Sequence, residues 1–386
     1  MEVAFLSNFY NHHQMPLSRS LYQLLGNKYA FIATTPIPQE RREMGYLEIK
    51  EPFVYQYEDC AQECQDRINR ADVVILGSAP LELVTDRLRA GKLVFQYSER
   101  LYKRQPPFYE MPARALKYYI QRGRYANLYL LCASAFTAAD YARTHTFLNR
   151  AYKWGYYPET KHYEIADLCA RKEKNKILWV GRFLDWKHPD DALRVAKRLK
   201  EEGYAFSMDM AGIGEMEAQL KEMAASMGLQ DCVTFLGPIP SNQVRVLMEK
   251  AGICLFTSDR NEGWGAVLNE SMNSACAVVA SHIIGAVPFL MRHHENGLVY
   301  RSGDVDALYG HVKYLLDNPS EQERLGKAAY ETITGEWNAE AAVRRLMQLA
   351  EHLLAGEKHP DLFEHGPCSR AGIIKDGWID EQRTAN

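Results

Sequence analysis

The stretch Asn261-Glu262-Gly263-Trp264-Gly265-Ala266-Val267-Leu268-Asn269-Glu270 decides how this chain is read. It follows an apolar run at 252–256, which reads as a buried strand. It leads into a helix over 265–275 and a further strand at 277–280. Glu262 therefore falls in a strand-to-helix loop and Glu270 on the helix, at the C-terminal edge of a parallel sheet, where open α/β sheets bind ligands. Carboxylates there suit sugar hydroxyls, because each oxygen accepts strong, directional hydrogen bonds. Gly263 and Gly265 bracket Trp264 and leave backbone amides at the helix start, able to face a phosphate or sugar oxygen. A helix that merely carries acidic residues near its N-terminus is the plainer reading of the same pattern.

The alternation extends in both directions. Strands are expected at 177–180, 205–211, 233–236, 252–256, 277–280 and 297–300. Helices are expected at 189–202, 215–227, 241–250, 265–275, 287–294, 304–317 and 320–334, which makes a doubly wound α/β domain. The first half repeats the pattern, with strands at 3–6, 30–33, 73–76, 93–96 and 128–132 and helices at 17–25, 59–70, 80–90, 111–123 and 135–148. Such near-continuous apolar strands belong to parallel sheets covered on both faces. At 386 residues the chain exceeds one core and calls for two domains. The expected division is an acceptor-side Rossmann-like domain over 1–165 and a second over 166–355, joined through a polar stretch at 154–176. An amphipathic helix over 339–354 follows Trp337. A segment at 356–386, too apolar for a free tail, is expected to pack back toward the first domain.

A net charge of −3 argues against a dedicated nucleic-acid binder. No apolar run approaches the ~20 residues that span a bilayer, and the N-terminus lacks the basic region of a signal peptide. Eight scattered cysteines fit a reducing compartment; Cys132, Cys254 and Cys276 sit in apolar runs and read as buried thiols. Cys60 and Cys64 have the spacing of a helical metal pair, but plain helix surface explains them as well. The expectation is a cytoplasmic protein, with peripheral contact at the inner face of the membrane as one open reading.

Three more features of the second half accompany the opening motif. Arg182 and Lys187 share a loop after a strand and Gly181, a pairing that suits a diphosphate, though two solvated cations explain it equally. Gly212 and Gly214 follow another strand, where glycines admit a ligand close to the backbone or simply make a tight turn. Residues 235–240, Phe-Leu-Gly-Pro-Ile-Pro, form a stiff loop in which Ile239 and main-chain groups lie beside a nucleobase, or only a turn.

With these residues in this order, the chain resembles the retaining glycosyltransferases of family four, over about residues 175–350. The resemblance rests on Gly181-Arg182 with Lys187, Gly212-x-Gly214, Phe235-x-Gly237, Glu262-x7-Glu270 and Trp337. It implies a GT-B fold, two Rossmann-like domains facing each other across a cleft that holds the active site. It implies catalytic roles for Arg182, Lys187 and Glu262: the two cations hold the donor diphosphate and Glu262 contacts the donor sugar. Glu270 would bind the ribose. Gly181, Gly212, Gly214, Ile239, Gly263, Trp264 and Gly265 would complete the donor site. It also implies a nucleotide sugar, by family habit a UDP-sugar, as substrate, with no metal and no other cofactor.

The first half departs from the pattern. The loop after the first strand carries His12 and His13 where many members have paired glycines, and imidazoles there could meet phosphate or acceptor oxygens. The family's histidine after the fourth strand is absent, and Glu99 stands in that stretch. Residues 100–125 hold seven cations, Arg100, Lys103, Arg104, Arg114, Lys117, Arg122 and Arg124, among six aromatic residues and against Glu110 alone. That composition suits a membrane surface bearing a lipid-linked acceptor or a solvated helix face. The resulting expectation is retaining transfer of a hexose-type sugar to a glycan, lipid-linked or small-molecule acceptor. Two alternatives stay open: a non-catalytic nucleotide-sugar-binding subunit, and a GT-B-like sugar-nucleotide epimerase.

Overall fold

The computed structural model describes residues 1–39, 49–103 and 106–383, the side chains of 381–383 excepted. Arg104 lies outside the described residues. The chain divides into two units, one formed by Met1–Glu159 with Trp337–Lys375 and the other by Thr160–Glu336 with the residues from Asp376 on.

The first unit is built on seven parallel strands: β1 Val3–Ser7, β2 Tyr29–Ala33, β3 Val54–Gln56, β4 Val73–Leu76, β5 Val94–Ser98, β6 Leu128–Cys132 and β7 Ala151–Lys153. Their order is β3-β2-β1-β4-β5-β6-β7. β1, β2, β4 and β6 are buried along their whole length, which is why they read as unbroken apolar runs. Two of the edge elements escape the sequence reading. β3 and β7 are three residues long and only partly buried. The edge of β7 is covered by the chain's last segment. The amide of Lys153 donates to the carbonyl of Ser369, the amide of Cys368 donates to the carbonyl of Lys153, and the amide of Ala371 donates to the carbonyl of Ala151. An edge so covered no longer offers free N–H and C=O groups to another chain.

The helix Ala339–Leu354 is a correction to the expected division. It lies in the first unit, not the second, and packs on Met15–Leu25. Its buried stripe, which includes Val343, Leu346 and Leu349, shows that it needs a partner face, but the pattern does not say which unit supplies it. The final segment is divided too. Residues up to Lys375 join the first unit as expected, whereas Trp378 and Ile379 are buried in the second, with Trp378 Nε1 donating to the carbonyl of His282.

The second unit has six parallel strands: β8 Glu173–Val180, β9 Ser207–Ala211, β10 Val233–Gly237, β11 Ala251–Phe256, β12 Ala277–Ser281 and β13 Leu298–Tyr300. The order is β10-β9-β8-β11-β12-β13. The chain winds outward from β8 to one edge and then restarts at β11 on the other side. Helices after β8 and after β11 therefore diverge to opposite faces and leave a crevice at the strands' C-terminal ends. The first unit reverses in the same way between β1 and β4.

Arg87 shows how the first unit satisfies its backbone. It is 2% exposed and donates to the carbonyls of Ile68, Ala71, Asp72 and Leu93, at the end of the helix Ala61–Arg70 and the entries to β4 and β5. Arg87→Leu removes every one of those donors from buried acceptors. It should cost about 3 kcal/mol or more and lower the thermal midpoint by roughly 6–12 °C; an unchanged midpoint in a thermal melt would refute this role.

Candidate functional site

The loops that leave β8 and β11 meet at the strand-order reversal of the second unit. Their backbones are laced first. The amide of Asp259 donates to the carbonyl of Trp186 at 2.9 Å. Thr257 Oγ1 donates to the carbonyl of Lys187 at 2.6 Å and accepts from Trp179 Nε1 at 2.9 Å. On this frame Lys187 Nζ reaches Glu262 Oε2 at 2.5 Å, with only 12% and 14% of the two side chains exposed. Ser258 Oγ donates to the same carboxylate oxygen at 2.9 Å. Two residues chosen from sequence for separate reasons thus form one ion pair. Arg182, also expected here, is exposed at the start of its loop and takes no part in this network.

A second pair flanks the first. His188 Nε2 lies 3.8 Å from Asp259 Oδ2, an ion-pair distance rather than a formed hydrogen bond. His188 has a left-handed backbone, φ 48°, and precedes the helix Pro189–Glu201; non-glycine residues held there are enriched at functional sites. The Asp259 carboxylate holds the imidazole above its ordinary pKa, against burial that lowers it. Burial is the largest single influence on Asp259 and raises it, but His188 and the bonds from Asn261 together outweigh that and hold it low. Arg260, next in the loop, has Nε and Nη2 shielded from solvent with no hydrogen-bond partner. Ser258, Asp259, Arg260 and His188 were not legible as site residues, because nothing in their spacing distinguishes them from loop polarity.

The glycines have steric duties. A Cβ on Gly212, at φ +149°, would lie 1.8 Å from the carbonyl oxygen of Gly181, and one on Gly214 would lie 2.4 Å from that of Phe183. These glycines let the loop after β9 lie against the loop after β8, with Gly181 N donating to Ala211 O and Phe183 N to Ile213 O. Ile239 is half-buried beyond β10, in the loop that follows Gly237. Gly265 is left-handed and caps the helix Ala266–Asn273; a Cβ there would strike the Phe256 ring at 2.4 Å. Gly263 is buried beside it. The Trp264 indole is 1% exposed and donates Nε1 to Asn269 Oδ1 at 2.8 Å. It anchors the start of that helix and does not offer its ring to a ligand. Glu270 is half-buried two turns along. Burial raises its pKa, opposed by Arg245 and Lys161. Its helix is braced by Asn273, which exchanges bonds with the Lys161 backbone at 2.8 and 2.9 Å.

In the first unit, a cavity of about 290 Å³ opens over the ends of β1, β4 and β5. Glu99 and Tyr156 line it, with the Tyr156 hydroxyl donating to Glu99 Oε1 at 2.8 Å. Gln14 lines it too, and its Oε1 is shielded and without a partner. The His13 ring lies 6.3 Å from that of Tyr156 and 4.0 Å from that of His12. Of these two, His12 is the exposed one; surrounding protein pushes its pKa down. Among the described residues, no three His, Cys, Asp or Glu side chains gather as metal ligands; the Cys60 and Cys64 sulfurs lie 3.6 Å apart, and Cys60 Sγ donates to the carbonyl of Gln56 at 3.2 Å.

Residues 163–332 match the family model of glycosyl transferases group 1. The amylovoran biosynthesis glycosyltransferase AmsK of Erwinia amylovora is 29% identical over 206 residues, 52% of this chain and 50% of that protein. The putative colanic acid biosynthesis glycosyltransferase WcaL of Escherichia coli is 26% identical over 184 residues, 46% of this chain and 45% of that protein. The chain thus spans about half the length of the curated relatives it matches. Two crystal structures cover 92% of this chain with a TM-score of 0.66. One is a glycosyltransferase from Rickettsia africae, 15% identical over 99% of its length. The other is HepE of Anabaena in complex with UDP, 14% identical over 100% of its length. The fold is GT-B, two Rossmann-like α/β domains.

The His188–Asp259 pair has a definite pH window. His188 is held above 6.5, so its contribution is full below that value and is lost as pH rises through the raised one. Asp259 is held below 3.8, so its contribution is present above that value and is lost as pH falls through the lowered one. In an NMR titration the His188 midpoint should exceed 6.5 and drop in Asp259→Asn. A midpoint that the substitution leaves in place would dissolve the pair.

Proposed function

We propose that this protein is a retaining glycosyltransferase that moves a sugar from a UDP-sugar to a glycan or lipid-linked acceptor in polysaccharide biosynthesis, without a metal ion. One observation carries the reading: a shielded Lys187–Glu262 pair at the strand-order reversal of the domain that matches the glycosyl transferase model. The likeness to the amylovoran and colanic acid glycosyltransferases AmsK and WcaL supports the pathway, and the likeness to HepE, which binds UDP, supports the nucleotide.

In this reaction the bond from the sugar's C1 to the β-phosphate oxygen breaks. The acceptor hydroxyl oxygen bonds C1 on the same face and its proton passes to the departing phosphate. Negative charge grows on that leaving group, and Lys187 is the cation placed to meet it, with Arg182 arriving from its exposed position. Glu262 orients Lys187 in the resting protein and turns its free acceptor capacity to sugar hydroxyls. Glu270 accepts from the ribose diol. In the first unit, Glu99, Gln14 and the imidazoles at 12 and 13 offer neutral and acidic acceptors of the kind an acceptor hydroxyl needs.

Lys187→Ala should lower kcat for transfer from a UDP-sugar, assayed with a chelator present, by about 10²–10³-fold. Near-normal turnover would remove Lys187 from the mechanism. UDP binding without transfer or hydrolysis by the unmodified protein would favour a binding subunit instead. Glu270→Ala should weaken UDP about tenfold or more, the loss of a charge-assisted hydrogen bond. An unchanged dissociation constant by calorimetry would exclude it from the ribose site.

A further inference from the structure

The run from Phe108 to Gly123 turns its apolar side outward. It comprises a short 3₁₀ turn Phe108–Glu110, the helix Met111–Tyr118 and a π turn Tyr119–Gly123. Phe108, Tyr109, Leu116, Tyr119 and Ile120 are 85%, 70%, 61%, 53% and 47% exposed. Tyr109, Leu116 and Ile120 follow one another at helical spacings and form a stripe. The π turn holds one extra residue, so Tyr119 and Ile120 both stay on that side.

Two arginines of the run lie against protein aromatic rings. Arg114 pairs with Glu110 at 2.7 Å and lies over the buried Tyr102 ring. Arg122 donates Nε to Gln96 Oε1 at 2.9 Å and covers the Tyr118 ring. No residue of the helix Met111–Tyr118 is fully buried, whereas a surface helix of a globular unit ordinarily buries an apolar stripe against its own core. Glu110 is spent on Arg114, so Lys103, Lys117 and Arg124, all exposed, leave the margin of the stripe positively charged.

We infer that this face docks on an anionic bilayer surface, with Leu116 and Ile120 among the acyl chains, the aromatic residues at the headgroup level and the three cations on anionic lipid heads. Charge and shape select this occupant. A second copy of the chain would bring like-charged margins together across a symmetric contact. A nucleic acid would leave the aliphatic side chains in water. No helix among the described residues is long and apolar enough to cross a membrane, so the contact is peripheral. It does not depend on the glycosyl-transfer reading.

The test is co-sedimentation of the full chain with phosphatidylcholine vesicles, with and without about 30% phosphatidylglycerol, at low salt and at about 0.5 M salt. The protein should pellet with anionic vesicles at low salt, not with neutral ones, and should be released at high salt. Leu116→Glu with Ile120→Glu should weaken binding at least tenfold. Lys103→Ala with Lys117→Ala should weaken it roughly 25-fold, about fivefold for each cation near the surface. All these positions are exposed, and an unchanged thermal midpoint confirms that the variants fold. Absence of anionic-vesicle binding, equal binding to neutral vesicles, or undiminished binding by the Leu116/Ile120 variant would each overturn the assignment. So would concentration-dependent dimerisation that this variant abolishes, which would give the face to a second copy.

Discussion

The contact between Lys187 and Glu262 is the constraint on which the second unit's site depends. It closes the gap that a doubly wound sheet leaves where its strand order reverses, and it does so with charge in a place nearly closed to water. A surface pair is worth little, but a pair this shielded interacts several times more strongly. Removing one member would strand the other, which costs more than the pair itself contributes. Its resting state is also its vulnerability. An anion brought to the crevice would compete with Glu262 for the ammonium, and Glu262 would then need another hydrogen-bond donor in its place.

Around that pair the backbone does the positioning. The loop after β8 lies so close to the loop after β9 that Gly212 and Gly214 must lack side chains, and Gly265 must let the Phe256 ring approach the start of its helix. These glycines read at first as openings for a ligand. Their immediate neighbours are the loop after β8 and, for Gly265, the Phe256 ring. Gly212 and Gly214 thereby hold in place the loop that carries Lys187. The Trp264 indole serves the same end from below, pinned to Asn269.

Most of the fold was legible because parallel strands covered on both faces must be apolar throughout, and β1, β4, β6 and β11 are; β8 is apolar only from Ile177 on, so its polar first half, Glu173–Lys176, read as connection rather than strand. The parts that were not legible depend on distant partners. β7 takes its place from residues 368–371, more than two hundred positions on. The helix Ala339–Leu354 announces a buried stripe but not the unit that buries it. In the site, Lys187, Glu262 and Glu270 stood out because charged residues after buried strands need a reason. Their pairing did not, since it arises from the sheet order. Asp259 and Ser258 looked like ordinary loop polarity until the structure placed Asp259 against the β8 loop and Ser258 on the Glu262 carboxylate.

The two sheets reverse their strand order at corresponding points, and the chemistry at those points differs. In the second unit the loops after β8 and β11 bring an ammonium, an imidazole and two carboxylates together. In the first, the loops after β1 and β4, with the end of β5, surround a cavity edged by Gln14, Glu99 and the Tyr156 hydroxyl. One fold thus presents fixed charge at one reversal and hydrogen-bond acceptors at the other. Cations suit a group that departs with negative charge, and acceptors suit hydroxyls that must be oriented while keeping their protons until attack.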